Sequence, residues 1–473
     1  MAQQRQPKFQ VRGERFEVRV ESLDQEGRGV AHRDGKAVFI EGALPGETAV
    51  YEVLRQKARY ESGRAIEIAY ESPLRVVPRC PHAGLHVGAC GGCSMQHIDA
   101  RAQVAMKQRV LEDTLWHVGR VRPQMMLRPV AGPPWHYRHR ARFGVRYVAK
   151  KGGALVGFHE RASSYVADIR QCEVVPRKVS DLLLPLRDLI SSLTLRERCP
   201  QIELAIGGST IVLVFRVLQP PTDADCALLR EFGRAQCVGI WLQPAGPASA
   251  APLDLEQPQQ LELLLPEFGI ALPFLPTEFT QVNHQINEIL VSRVLRLLAP
   301  SPTETVADFF SGLGNFTLPL ATRARKAIGV EGSASLVERA RAAAAHNSLT
   351  DRTEFETRNL FEFTSDDWRA LVGRAGAIDK VLIDPPREGA MALVQALADT
   401  PGAQPRPPAR VVYVSCNPAT LARDCNVMVN NGGWKLRAAG VVNMFPHTSH
   451  VESIALLEPP TSPGNVRAEA SAC

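Results

Sequence analysis

The strongest constraint on the fold is an alternation of strand and helix patterns that begins near residue 275. Short apolar runs rich in β-branched residues alternate there with longer amphipathic segments. This order predicts a doubly wound α/β domain with a mainly parallel sheet. The strand patterns cover Thr305 to Phe309, Ala327 to Val330, Lys380 to Ile383 and Arg410 to Val414, and the helix patterns cover Asn283 to Leu298, Ser335 to Asn347 and Ala390 to Ala398.

The last of these strands stops at a single cysteine. The run Val411 to Val414 leads to Cys416, and Asn417-Pro418 then favours a turn. Cys416 is therefore predicted at the carboxyl end of a strand, where open α/β sheets bind their ligands. A buried structural cysteine is the alternative interpretation. Motifs upstream and downstream favour a nucleophile.

A glycine-containing loop follows the first strand of the same domain. In Asp308 to Phe316, Gly312 and Gly314 permit a tight turn and a close approach of the backbone to a ligand. Position 317 is threonine, so the dinucleotide-binding fingerprint is incomplete. Glu331 ends the next strand, where an acid can bind ribose hydroxyls. The combination favours S-adenosylmethionine over NAD.

Two further motifs indicate carbon methylation. Asp384-Pro385-Pro386-Arg387 has arginine where methyltransferases that act on exocyclic amino groups often have an aromatic residue. C5 of uracil is too weak a nucleophile by itself, but a thiolate that adds to C6 produces an enolate that can attack a sulfonium methyl group. A base must then remove the C5 proton, and Glu452 in the segment His447 to Glu452 is available. An exposed glutamate on a surface turn is the alternative.

The first part of the chain predicts a small barrel. From Phe16 to Ile68, short alternating segments are broken by glycine-containing turns. The segments Asp24 to Ala31 and Val38 to Glu47 resemble a TRAM domain, an OB-like barrel that binds RNA. An unrelated barrel with a solvated basic face is the alternative. Candidate phosphate contacts are Arg55, Lys57, Arg59 and Arg64.

Four cysteines predict a metal centre between the barrel and the α/β domain. Cys80, Cys90 and Cys93 are separated by glycine-rich segments, and Cys172 is the nearest fourth candidate. Four thiolates suit either zinc or a [4Fe–4S] cluster. Zinc sites usually show two close cysteine pairs, so the single Cys-x2-Cys pair favours iron–sulfur. His82 and His86 are less favoured ligands.

The region around these cysteines is predicted to be β-rich. It includes an amphipathic helix over 97–118, which we expect to pack on the α/β domain, and strand patterns from Gln201 to Ile206 and Thr210 to Leu218. From Trp135 to Lys151, cations alternate with aromatic residues, as in proteins that bind phosphates and unstacked bases. An ordinary basic edge strand is the alternative.

Length and composition bound the remaining possibilities. A chain of 473 residues predicts several domains, and a net charge of +6 permits a nucleic-acid partner. No apolar run reaches the length of a membrane span, and the polar start does not resemble a secretory signal, so we expect a cytoplasmic protein. A monomer is the expected oligomeric state. The predicted units are a TRAM domain over 12–72, a central iron–sulfur domain over 73–270, a Rossmann-like methyltransferase domain over 275–458 and a disordered tail over 459–473.

The motifs together resemble the RNA uracil-C5 methyltransferase family. Asp384 to Arg387, the segment Ser415 to Asp424 and the segment Phe445 to Glu452 match its motifs in the family's order. The barrel and the four cysteines resemble its 23S rRNA branch. A tRNA-modifying member is an alternative, although that branch usually lacks both features. A radical-SAM RNA-modifying enzyme is a further alternative, but the Cys-x3-Cys-x2-Cys triplet of those enzymes does not occur in this sequence.

The resemblance implies a role for individual residues. It makes Cys416 the nucleophile, Glu452 the general base, 23S rRNA the partner, and S-adenosylmethionine and a [4Fe–4S] cluster the cofactors. Nine residues separate Cys80 from Cys90, more than is usual in the family, which leaves the role of Cys80 less secure than that of the Cys90–Cys93 pair. The implied S-adenosylmethionine contacts are Gln281, Phe310, Asn315, Glu331, Asn359 and Asp384, and the implied cluster ligands are Cys80, Cys90, Cys93 and Cys172.

Overall fold

A computed structural model describes residues 13–254, 256, 260–399 and 406–460. The described chain contains three large sheets and a two-stranded hairpin. The sequence predicts disordered tails over residues 1–10 and 459–473, and residues 1–12 and 461–473 lie outside the described part. No helix in the described ranges is long and apolar enough to cross a membrane.

The first sheet has six strands in the order β1-β5-β6-β4-β3-β2. Side chains alternate along each strand, so Ala49, Tyr51 and Val53 of β5 enter a core of their own while their neighbours face outwards. The strands are β1 (Arg15–Arg19), β2 (Ser22–Leu23), β3 (Gly29–Arg33), β4 (Lys36–Glu41), β5 (Thr48–Gln56) and β6 (Tyr60–Tyr70).

The second sheet has six strands in the order β13-β12-β11-β10-β8-β9, with helices packed on one face. One helix and one short strand of this part of the chain, α1 and β7, do not join it. The elements are α1 (Ala100–His117), β7 (Met125–Met126), β8 (Arg140–Val148), β9 (Gly153–Gly157), α2 (Arg177–Asp181), α3 (Leu183–Ser192), β10 (Gln201–Gly207), β11 (Thr210–Arg216), α4 (Asp223–Gln236), β12 (Gly239–Gln243) and β13 (Ala251–Pro252).

The third sheet has eight strands in the order β18-β17-β16-β19-β20-β22-β21-β7. A hairpin of β14 (Leu261–Leu265) and β15 (Ile270–Phe274) precedes it. The other elements are α5 (His284–Leu298), β16 (Thr305–Phe309), α6 (Thr317–Arg323), β17 (Lys326–Glu331), α7 (Ala334–His346), β18 (Thr353–Thr357), α8 (Ser365–Ala375), β19 (Lys380–Ile383), α9 (Met391–Ala398), β20 (Arg410–Ser415), α10 (Pro418–Asn426), β21 (Lys435–Val442) and β22 (Glu452–Glu458).

This sheet is buried on both faces. Along β20, Val412 and Val414 enter the core formed with α5, α6 and α7, whereas Val411 and Tyr413 enter the core formed with α1, α8, α9 and α10. Strands β16 to β20 are parallel, and β22 is inserted antiparallel between β20 and β21. The two-sided burial explains why the strands appear in the sequence as continuous apolar runs.

Helix α1 and strand β7 cross from the central part of the chain to the third sheet. Helix α1 begins at the N-cap Asp99, whose side chain accepts hydrogen bonds from two backbone N–H groups, and it packs against α10 and β21. Strand β7 pairs with β21 at the sheet edge. The sheet that carries the candidate site therefore includes residues from well before position 275.

Candidate active site

One cavity of about 600 Å³ lies at the carboxyl ends of the parallel strands. Parallel sheets bind ligands at this edge because the loops that follow neighbouring strands meet there. The cavity brings together the predicted nucleophile, the predicted base and every predicted S-adenosylmethionine contact, although these residues are spread over more than 170 positions. They are Gln281, Phe310, Asn315, Glu331, Asn359, Asp384, Cys416 and Glu452.

Strand pairing places Cys416 and Glu452 opposite each other. The antiparallel pairing of β20 with β22 ends at Ser415 and Ser453. Cys416 is the next residue after β20's Ser415, and Glu452 is the residue before β22's Ser453. Cys416 is followed by Asn417, whose side chain accepts a hydrogen bond from the N–H of Ala419 at the start of α10. The thiol and the carboxyl therefore face one cavity from adjacent segments.

Burial in the cavity raises the pKa of both the thiol and the carboxyl group. Burial, with smaller contributions from Glu452 and Asp384, raises the pKa of Cys416 to about 11, although Arg387 opposes the shift. Burial likewise raises the pKa of Glu452 to about 7, again opposed by Arg387. The Arg387 guanidinium also lies 3.2 Å from Nδ1 of His450, which lines the same cavity.

The loop after β16 has the backbone conformation that its glycines permit. Gly312 and Gly314 have φ angles of 53° and 91°, and Phe310 has a φ angle of 64° without being glycine. A positive φ is costly for a residue with a side chain, and such strain is common at functional sites. The N–H of Gly312 donates to Oε2 of Glu331 at 3.1 Å, so the loop is fastened to the end of β17.

Two of the predicted cofactor contacts that line the cavity are acidic. Glu331 and Asp384 line it, and burial, followed by the charge of Glu452, raises the pKa of Asp384 well above its ordinary value. Asp308 lies beneath, fully buried, and burial raises its pKa to about 8 although Thr317 donates a hydrogen bond to it. A cavity with this lining suits a cationic ligand that also carries hydroxyl groups.

Amide and aromatic groups complete the cavity. Asn315 exchanges two hydrogen bonds of 2.9 Å with Asn287, and the Asn359 side chain accepts one from the N–H of Phe361. The ring of Phe361 lies edge-on to that of Phe310, with centroids 5.8 Å apart. The sequence prediction did not include several lining residues. These are Phe279, Phe361, Arg387, Phe445 and His450. Arg387 lies in the predicted motif Asp384 to Arg387, and Phe445 and His450 lie in the predicted motif Phe445 to Glu452.

The four predicted cluster cysteines line a second, small cavity. Burial raises the pKa of Cys90 to about 11 and that of Cys93 to about 12, which keeps both thiols protonated. Among the residues that the structure describes, no group of three or more His, Cys, Asp or Glu side chains is arranged so that it could hold a metal ion. The predicted iron–sulfur centre of the central domain is therefore not supported by the arrangement of Cys80, Cys90, Cys93 and Cys172.

Several aromatic residues between Trp135 and Lys151 are buried or packed against other protein groups. Alternation along β8 buries Phe143 and exposes Arg142 and Arg146. Tyr137 is only 4% exposed. Trp135 stacks on His447, with ring centroids 3.9 Å apart. Tyr137 and Phe143 are therefore too buried to stack on RNA bases, and for them the prediction is wrong, whereas an RNA contact by the half-buried Trp135 stays a prediction.

Comparison with protein families identifies two parts of the chain. The family described as tRNA (Uracil-5-)-methyltransferase matches residues 99–459, and the TRAM domain matches residues 10–66. The first match covers most of the chain, including α1 and all strands of the third sheet.

Curated relatives are similar over nearly their whole length. The Bordetella parapertussis protein named 23S rRNA (uracil(1939)-C(5))-methyltransferase RlmD is 57% identical, covering 93% of this chain and 92% of the relative. The proteins of the same name from Cupriavidus pinatubonensis and Burkholderia thailandensis are 54% and 56% identical, each covering 93% of this chain and 95% and 94% of the relative.

A solved structure shows the same fold. The Pyrococcus abyssi tRNA (uracil-54, C5)-methyltransferase, in complex with S-adenosyl-L-homocysteine, aligns with a TM-score of 0.68 and 22% identity over 93% of this chain and 100% of that one. At this identity the likeness establishes architecture and leaves the substrate open.

Proposed function

This chain belongs to the RNA uracil-C5 methyltransferase family, and on that premise we propose that it methylates C5 of a uridine in 23S rRNA. The relatives' names assign the uridine at position 1939, and we propose the corresponding uridine here. The N-terminal TRAM match and the high identity to rRNA-modifying relatives favour this substrate over tRNA. We infer a cytoplasmic location from the same substrate.

The observation that carries the proposal is the meeting of a thiol and a carboxyl in the cavity of a methyltransferase fold. Cys416 approaches from the end of β20, and Glu452 from the start of β22. Uracil needs both groups, because C5 becomes nucleophilic only after addition at C6 and must later lose its proton. The target uridine must leave its base stack to reach them.

S-adenosylmethionine supplies the methyl group, and six residues are proposed to hold it. The acidic lining favours its sulfonium and ammonium charges, and Glu331 can accept hydrogen bonds from ribose hydroxyls. Phe310 and its partner Phe361 offer apolar surface for an adenine ring. The proposed set is Gln281, Phe310, Asn315, Glu331, Asn359 and Asp384.

The reaction then divides between two side chains. Cys416 loses its proton to solvent and bonds to C6, which moves electron density to C5. C5 then bonds to the methyl group as its bond to the sulfonium sulfur breaks, and S-adenosylhomocysteine leaves. Glu452 removes the proton from C5, and the returning electron pair expels the Cys416 thiolate. The product is 5-methyluridine, and the thiol is regenerated.

We also infer that the four thiols of the small cavity hold a [4Fe–4S] cluster after losing their protons. The inference rests on the sequence pattern and on the four thiols lining one cavity, since a single Cys-x2-Cys pair favours iron–sulfur over zinc. Such a cluster would fasten Cys80, Cys90 and Cys93 to Cys172 as a structural link.

Substitution of the two reacting residues tests the proposed function. Cys416→Ala should abolish methylation and covalent RNA complexes while S-adenosylmethionine still binds. Glu452→Gln should still transfer the methyl group but fail to release product, so a methylated protein–RNA adduct should survive denaturing electrophoresis. RNA with 5-fluorouridine should trap the wild type at the same stage, because fluorine cannot leave as a cation. Normal turnover by Glu452→Gln, or methylation by Cys416→Ala, would contradict the assignment.

A further inference from the structure

The loop between β21 and β22 delivers Glu452 to the cavity. It covers residues 443–451, and its side chains Phe445 and His450 line the cavity themselves. His447 in its middle has a φ angle of 64°, a conformation that costs free energy for a residue with a side chain. The surroundings must therefore hold this loop in place.

The backbone of His447 is held from outside the methyltransferase sheet. Its N–H donates to Oε1 of Gln103 at 2.8 Å. Its carbonyl oxygen accepts hydrogen bonds of 3.0 Å from the N–H groups of Ser94 and Met95. With the ring of Trp135 stacked on its imidazole, His447 is held on both its backbone and its side chain.

The Gln103 side chain contacts both His447 and the segment that precedes α1. Its side chain lies on α1 and is 1% exposed. Nε2 donates to the carbonyl oxygens of Met95 and Ile98 at 3.0 and 2.9 Å and lies 3.1 Å from Nδ1 of His447. Only an amide can donate to those carbonyls and accept from the His447 N–H at once. A carboxylate or an alkyl group would leave buried partners unpaired.

A second set of contacts fastens the loop on either side of His447. Nζ of Lys107, one helical turn beyond Gln103 and 2% exposed, donates to Oδ1 of Asn443 and to the carbonyl oxygen of Phe445, both at 2.8 Å. The hydroxyl of Tyr137 donates to the carbonyl oxygen of Pro446 at 3.0 Å. Residues that precede the α/β domain in sequence thus hold the loop at four positions, Asn443, Phe445, Pro446 and His447.

We propose that Gln103 and Lys107 are positioning residues for the proton-abstraction step. Neither side chain lines the reaction cavity, and both act through the 443–451 loop on the approach of Glu452 to the substrate. A misplacement of about 1 Å in a catalytic group can cost about 100-fold in rate, so a loop held this firmly has a direct effect on turnover. The inference rests on the proposed role of Glu452 as the base.

The test uses the full-length Gln103→Leu variant with target RNA. Cys416 lies on another strand, so adduct formation should stay within about threefold of the wild-type rate, and KM for S-adenosylmethionine should not change. Release of product should slow at least tenfold, so that methylated adduct accumulates. Amide hydrogen exchange over residues 443–450 should become faster. Gln108→Leu is the matched control, because Gln108 lies on the same helix and its side chain donates to Glu112 of that helix instead of to the 443–451 loop.

The outcomes separate this inference from the proposed function. Faster hydrogen exchange with wild-type product release would overturn the positioning role. Unchanged exchange over residues 443–450 would overturn the proposed restraint itself. Normal turnover by Glu452→Gln would instead refute the base, whatever Gln103→Leu does. Should Gln103→Leu not fold, Lys107→Met tests the same loop from its other anchor, with the same readouts and the same interpretation.

Discussion

Burial raises the pKa of both residues proposed to react, so both are weak acids before substrate binds. With a pKa of about 11, only about 10⁻⁴ of the Cys416 thiol is ionised at pH 7. Glu452, with a pKa of about 7, is half protonated there. Two adjacent groups that would both be anionic oppose each other's ionisation. The enzyme therefore has two separate proton requirements, one for addition and one for release.

The pH dependence of the two steps should differ. Adduct formation with 5-fluorouridine RNA requires the thiolate, so its rate should rise about tenfold per pH unit from pH 6 to 9, below the thiol pKa of about 11. Product release from normal RNA requires the Glu452 carboxylate and should level off above pH 7. Rapid-quench measurements separate the two rates. A plateau of adduct formation above pH 7 would show that Glu452, rather than solvent, takes the thiol proton.

At the scale of elements, strand pairing decides which side chains meet. The register of β20 with β22 sets Glu452 opposite Cys416, and a slip of one residue would turn Glu452 to the other face of the sheet. The small cysteine cavity likewise joins distant segments, since Cys93 and Cys172 are 79 positions apart in sequence and line the same space. Cys93 directly precedes Ser94, which bonds to His447.

Loss of one cysteine tests the proposed cluster. Protein purified without oxygen should contain about four irons per chain and absorb broadly in the visible range. Cys93→Ser should lose the iron and lower the thermal midpoint of the central domain. Cys237→Ser is the control, because Cys237 is exposed and far in sequence from the four predicted cluster cysteines. Stoichiometric zinc without iron in the wild type would contradict the cluster assignment.

At the scale of the whole molecule, charge on the first sheet offers a surface for RNA. Arg55, Lys57 and Arg59 are exposed at the end of β5 and in the turn that follows it. Arg64 differs from the prediction, because it is half-buried and paired with Glu52 at 2.7 Å. The cations free for phosphate contacts are therefore fewer than the sequence suggested. Oligomeric state stays a prediction.

Replacing Arg55, Lys57 and Arg59 together by alanine should weaken RNA binding. If all three contact phosphates, the slope of log K against log salt should become shallower by about two to three units, since each phosphate contact releases roughly one counterion. Fluorescence anisotropy over a salt series measures both the affinity and the slope.

The control replaces the same amount of charge elsewhere. Arg234, Arg323 and Arg369 are exposed on α4, α6 and α8, outside the first sheet. Their alanine variant should keep the wild-type slope. An unchanged slope in the variant that lacks Arg55, Lys57 and Arg59 would exclude the basic surface of the first sheet as an RNA contact.

The sequence by itself determined the family and the chemistry. Its motifs are short and local, so three of them could be recognised without coordinates: Cys416 after an apolar strand, the glycines after β16 and the TRAM pattern. The family prediction made from these motifs is confirmed. The four strands and three helices predicted for the α/β domain lie within two residues of their predicted positions, because two-sided burial gives the strands continuous apolar runs. Helices α6, α8 and α10 and strands β18, β21 and β22 were not predicted. The domain boundaries stay predictions.

Only the tertiary structure decided what each aromatic, amide and buried cation contacts. Trp135 and Tyr137 resemble RNA ligands in sequence but pack on the loop that precedes Glu452. Gln103 and His447 are 344 positions apart, and no local pattern reports a hydrogen bond between them. Periodicity in the sequence shows which residues are buried. The partner of a buried polar group depends instead on how distant elements pack. Each such group must find a hydrogen-bond partner, because an unpaired buried group destabilises the folded protein.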